Sequence, residues 1–102
     1  MTDESRALTA LADPTRRRVF ERLAEAPASV AEITRGMSVS QPAVSQHLKV
    51  LREAELVAGT AKGASTVYRI DPVGLGPLRQ WLDRFWDAQL QAFAKAVDED
   101  KP

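Results

Sequence analysis

The sequence predicts a mainly α fold with one small β-hairpin, in the order α-α-α-α-β-β-α. Three observations predict it. Helix-start signals recur at Asp13-Pro14, at Ser29 followed by Glu32, and at Ser40 ahead of Pro42. The apolar period then changes from helical to alternating after Leu56-Val57, and a last helical stretch holds four of the six aromatic residues.

A short first helix carries Leu8 and Leu11 on one side. Asp13-Pro14 opens a second helix to about Ala26, because Asp accepts from free backbone N–H groups and Pro occupies a first-turn position that needs no donor. Val19, Phe20 and Leu23 point to its core side. The Arg16-Arg17-Arg18 run reads as a solvated face, with Arg17 opposite Glu21 and Arg22 opposite Glu25.

Pro27-Ala28 breaks the chain, and Ser29 to Glu32 has capping-box spacing. A short helix with Val30 and Ile33 is expected to end near Gly36, where a left-handed cap costs little. Ser40 then caps the next helix, and Pro42 falls in its first turn. Residues 29 to 54 therefore read as helix, tight turn, helix, a unit able to lay its second helix in a DNA major groove.

On a helical wheel Val44, Leu48 and Leu51 form the buried stripe, and Pro42, Ser45, Gln46 and Lys49 form the opposite arc, flanked by Gln41 and Arg52. That arc is polar and uncluttered near its N-terminal end, as a base-reading surface must be. Thr66 to Ile70 alternates, with Tyr68 and Ile70 on one side, and Lys62 to Ser65 turns back from residues 56 to 60. A hairpin in this place is a wing with Lys62 near its tip.

The last helix is expected from Pro77 to Val97, after the punctuation Asp71-Pro72 and Gly74 to Pro77. Its apolar arc, including Leu78, Trp81, Leu82, Phe85, Trp86, Leu90 and Phe93, spans about 200°, twice what one core requires. One helix would then cover two surfaces, which favours self-association over burial in its own small core. Asp98 to Pro102 reads as a solvent-facing tail.

Composition bounds the function. The chain's 102 residues carry fourteen basic and fourteen acidic groups, so any field for nucleic acid is local; residues 29 to 70, with five basic against three acidic groups, are the basic part. Cysteine is absent, which removes disulfides, thiolate catalysis and thiolate metal sites together. The polar start and the lack of a long apolar run give the expectation of one soluble, cytoplasmic domain over residues 1–102, without a membrane partner. An enzyme is not expected from one histidine on a packed helix, and no cofactor is implied.

The stretches ALADPTRRRVFERL, VSQPAVSQHLKVLREAELV and VYRIDP, in this order and spacing, resemble the ArsR family of bacterial winged helix-turn-helix regulators over residues 6 to about 97. The resemblance implies a homodimer built from the first and last helices, Leu8 and Leu11 with Leu78, Trp81, Leu82, Phe85, Trp86 and Phe93. It also implies recognition of an inverted-repeat, double-stranded DNA operator and repression of transcription. Gln41, Pro42, Ser45 and Gln46 fall on the family's DNA-reading places, next to the cap Ser40. Arg35, Lys49, Arg52 and Lys62 are the candidate phosphate contacts.

Two features depart from many members: proline stands at 42 where serine is common, and AGTAKGASTVYRI has one lysine near the wing tip instead of several arginines. The cysteine and Asp/His sensor sets of the metal-responsive members are missing; Asp83 and Asp87 face Arg79 and Arg84 instead, and WLDRFW resembles the metal-independent branch. His47 reads as a structural or phosphate-contacting residue. The neutral total charge and sparse wing suit an alternative, a winged-helix protein-interaction module that does not touch DNA. An apolar effector between the last helices, against Trp81, Trp86 and Phe93, is a further possibility, with no inducer specified.

Overall fold

The computed structural model describes residues 2–100 and has seven elements: α1 (Asp3–Ala12), α2 (Pro14–Glu25), α3 (Val30–Arg35), α4 (Gln41–Glu53), β1 (Val57–Lys62), β2 (Ser65–Ile70) and α5 (Pro72–Glu99). The order is the expected one. Each short helix starts on a side-chain acceptor: Asp13 accepts from the Arg16 N–H at 2.9 Å, Ser29 from Glu32 at 3.2 Å and Ser40 from Ala43 at 3.3 Å. Glu32 returns the bond to the Ser29 N–H at 3.0 Å, which completes the capping box.

These helices enclose one core. Val19, Leu23, Ile33, Val44, Leu48, Leu51, Leu56 and Val57 are buried together, with Ala7 and Ala10 from α1. Each large side chain so buried contributes about 1.5–3 kcal/mol. The two alanines let α1 lie close on the core while Leu8, one residue along, stays exposed. Arg16 ties α1 to α2 by donating its guanidinium N–H groups to the carbonyls of Ala10 and Thr9, which lie at the end of α1 and lack intrahelical donors.

The hairpin is antiparallel, with Val57 paired to Ile70 and Lys62 to Ser65 across a two-residue Gly63-Ala64 turn. Gly63 takes φ +62°, the left-handed conformation this tight turn asks of its first residue. The free edge of β2 is partly closed by Ala28, which exchanges two backbone hydrogen bonds with Tyr68 at 3.0 and 2.9 Å. This pairing holds the wing to the start of α3.

Several sequence expectations need correction. Gly36 ends α3 with φ −93°, outside the left-handed region; the left-handed cap belongs to Glu55 after α4, at φ +62°. There the Leu56 N–H reaches the Leu51 carbonyl and the Glu55 N–H reaches that of Arg52, both at 2.9 Å, the Schellman pattern. Arg22 pairs with Glu25 at 3.9 Å and Arg79 with Asp83 at 3.7 Å, but the pairs Arg17–Glu21 and Arg84–Asp87 do not form among the described residues. Exposed partners of this kind gain too little to hold two long side chains in register.

The last helix starts at Pro72, five residues before the expected Pro77, because Asp71 caps it by accepting from the Val73 N–H at 3.1 Å. Pro77 lies inside the helix, where it cannot donate to the carbonyl of Val73; Val73 is exposed, so water can serve that oxygen. The helix continues to Glu99 and absorbs Asp98 and Glu99 of the expected tail, of which Lys101 and Pro102 lie outside the described residues. Leu75 and Leu78 pack on the core, but from Leu82 to the end every residue is exposed. The helix is thus not sunk in its own core; it projects from the body and stretches the molecule to 67 × 26 × 21 Å.

Candidate nucleic-acid interface

The burial of α4 decides what the helix presents. Val44, Leu48 and Leu51 anchor one stripe, so Pro42, Ser45, Gln46 and Lys49 are turned outward and exposed, as are Ser40 and Gln41 at the start and Arg52 near the end. Ser40 spends its oxygen on the helix cap. Pro42 costs no hydrogen bond, since the first-turn N–H groups have no intrahelical acceptor. The result is a short polar ridge, uncharged at its N-terminal end and basic toward its C-terminal end.

His47 lies between the stripe and the ridge and is half-buried. It forms no hydrogen bond or ion pair with Asp13, the cap of α2, among the described residues. The Asp13 carboxyl is held below its ordinary value first by the Arg16 backbone N–H, then by the charges of Arg16 and His47. Glu32 is likewise lowered, first by the backbone N–H of Ser29 and then by its hydroxyl. Among the described residues no three of His, Cys, Asp and Glu gather as a metal site would require.

The remaining basic candidates stand apart from the ridge. Arg35 is exposed at the end of α3, and Lys62 is exposed at the end of β1. Cross-strand register places Lys62, Thr60 and Arg69 on the outer face of the hairpin, around a shallow hollow of about 330 Å³. Arg69 donates to the Thr60 hydroxyl at 3.2 Å and has no acidic partner among the described residues. Sequence reasoning missed Arg69 as a basic neighbour of Lys62, although the alternation that turns Tyr68 inward already turns Arg69 out. Gln41 lies on the other side of the wing, where a second groove separates it from Ser65 and Thr66.

The eight residues expected at a dimer interface fall into two sets. Leu11 and Leu78 pack partly against the chain's own core, and Trp81 is half-buried, with its ring edge-on to Phe85 at 5.0 Å. Leu8, Leu82, Phe85, Trp86 and Phe93 are exposed, Trp86 at 60% and Phe93 at 69%. No helix among the described residues is long and apolar enough to cross a membrane.

A helix-turn-helix with an exposed polar second helix, followed by a hairpin wing, defines a DNA-binding winged helix-turn-helix regulator of transcription. Comparison with known proteins agrees. Residues 11–60 match the model of a helix-turn-helix domain. The chain is 52% identical over 95 residues to the HTH-type transcriptional regulator Rv2034 of Mycobacterium tuberculosis, covering 93% of this chain and 89% of that protein. It is 29% identical over 76 residues to the transcriptional repressor SdpR of Bacillus subtilis, covering 74% of this chain and 84% of that one. A crystal structure of a possible transcriptional regulator for arsenical resistance superposes with a TM-score of 0.73 at 35% identity, over 100% of both chains. The chain belongs to the ArsR family of winged helix-turn-helix transcriptional regulators, and is a regulator, not an enzyme.

Proposed function

We propose that this chain is a homodimeric repressor that binds an inverted-repeat operator through α4, acts on its own operon, and works without a metal sensor. The observation that carries the reading is the division of labour between two exposed surfaces, the polar ridge of α4 and the apolar face of α5. Ser45 and Gln46 read base edges from the ridge, where a glutamine can pair with adenine through two hydrogen bonds. Lys49, Arg52, Arg35 and Lys62 supply the phosphate contacts.

Phe85, Trp86, Leu90 and Phe93 line a surface that a lone chain leaves in water, and a second copy related by two-fold symmetry removes it. Such a dimer presents two α4 helices to half-sites about 34–36 Å apart, one turn of DNA. The name of the Bacillus subtilis relative supports the negative sense of regulation. The lack of cysteine and the pairing of Asp83 with Arg79 support a regulator with no metal switch.

Footprinting on the DNA upstream of the protein's own gene tests the proposal. Protection of two symmetric half-sites, with reporter transcription falling when the protein is present, is the expected result. Absence of any protected site there would remove the autoregulatory reading.

A further inference from the structure

Between the wing and the first turn of α4 runs a groove of about 290 Å³ that contains no charged side chain. Gln41 borders one side, Ser65 and Thr66 border the other, and Val30 and Tyr68 supply apolar wall. Ser29 also reaches it, but its hydroxyl is engaged by Glu32 in the capping box. Gln41, Ser65 and Thr66 have no side-chain hydrogen-bond partner in the protein among the described residues. Gln41 and Thr66 offer two amide N–H donors and a hydroxyl donor, while Ser65, the cross-strand partner of Lys62, lines the rim with its hydroxyl on the outer face.

Two contacts hold the groove open. The Ala28–Tyr68 bridge fixes the distance from β2 to the helices, and Gly59 lets the Thr66 methyl close over β1, 2.9 Å from where a Cβ would stand. That contact occupies the methyl and leaves the hydroxyl off it. Position then gives the groove its meaning. A helix in the major groove is bordered by phosphate strands, and a wing beside that helix must straddle one of them.

We infer that Gln41 and Thr66, with Ser65 at the rim, form an uncharged clasp for the DNA strand passing between recognition helix and wing, so that Gln41 contacts backbone and Ser45 and Gln46 carry the base reading. The inference rests on the DNA-binding reading of α4. It also accounts for a wing with so few basic groups. Hydroxyl and amide donors fix register on the phosphates, while only Lys and Arg displace counterions and set the salt dependence.

The test uses the full chain and two 30-base-pair duplexes, one selected by the protein from a random pool and one of random sequence. Binding is followed by fluorescence anisotropy from about 50 to 200 mM salt. Thr66→Val, combined with Gln41→Ala and Ser65→Ala, is expected to weaken both duplexes by about tenfold or more with an unchanged salt slope. Thr66→Ser alone, which restores the hydroxyl without the methyl, is expected to bind as the parent does.

Unchanged binding in the triple variant would overturn the clasp, as would a loss confined to the selected duplex, which would return Gln41 to base reading. A loss in Thr66→Ser that Thr66→Val alone, which keeps the methyl, does not share would assign the effect to packing on Gly59 and overturn it too. If the parent protein retained neither duplex at low salt, the DNA-binding reading would fall first and the clasp with it.

Discussion

Gly74 of α5 lies directly against the backbone of Glu55: a Cβ added at 74 would stand 2.0 Å from the Glu55 carbonyl oxygen. Glu55 is itself the left-handed residue that ends the recognition helix. The end of α4 and the start of α5 thus meet backbone to backbone, clamped further by the Asp71 N–H on the Leu56 carbonyl at 2.9 Å. This contact fixes the end of α4 against the start of the helix that carries the apolar face.

Gly74→Ala is therefore expected to destabilise the fold by about 1–3 kcal/mol or more, since backbone on both sides leaves nothing flexible to yield. Glu55→Gly should act in the opposite direction, by about 1 kcal/mol at most, because it removes the left-handed penalty but loosens the unfolded chain. Thermal melts at fixed protein concentration check both. A Gly74→Ala variant as stable as the parent would show that the two backbones are not in contact.

Acid should weaken the fold through Asp13 and Glu32. Both carboxyls ionise more readily in the folded chain than in the unfolded one, so their stabilisation is complete above the ordinary carboxylate range, about pH 4. It is lost as pH falls through the lower folded values. Urea melts at pH 7 and pH 3 should differ less for the double variant Asp13→Asn, Glu32→Gln than for the parent. An identical pH response would mean that the caps carry no linkage.

The exposed rings of α5 predict their own test. Trp86→Glu together with Phe93→Glu places two charges in the proposed interface without touching the core, so folding of the body should persist while association fails. Sedimentation velocity should report a monomer where the parent is a dimer, with DNA affinity falling in parallel because one half-site no longer helps the other. A parent that is itself monomeric at micromolar concentration would end the dimer proposal.

Roles on α4 can be separated by the kind of loss. Gln46→Ala is expected to flatten base preference at one position of each half-site, by about 1–3 kcal/mol. Lys49→Ala should weaken selected and random duplexes alike and lower the salt slope by about 0.9 for each phosphate contact removed. Equal losses on both duplexes for both variants would sink the division.

What was legible in the sequence was local. Asp13-Pro14, the Ser29–Glu32 box and Ser40 are caps whose chemistry acts within four residues, and Val44, Leu48 and Leu51 announce their face by period alone. The misplaced start of α5 shows the boundary of that method. Gly74 and Pro77 read as breakers, yet Gly74 is required in the helix by its contact with Glu55, some twenty residues earlier. Ala7 and Ala10 were likewise silent, since an alanine gains its place in a core from how closely helices approach and not from hydrophobic contrast.

The same boundary runs through the site. The outward arc of α4 follows from the buried stripe and was legible. The neighbourhood of Gln41 was not, because the Ala28–Tyr68 bridge that brings the wing beside it joins residues forty apart in the chain.

The most direct measurement is selection of bound duplexes from a random pool by the intact protein, read by sequencing. A two-fold symmetric DNA-reading surface predicts enrichment of an inverted repeat whose half-site centres lie about one helical turn apart, with preference lost at one position per half-site in Gln46→Ala. No enriched sequence, or one unchanged by Gln46→Ala and by loss of the α5 rings, would contradict recognition by paired α4 helices.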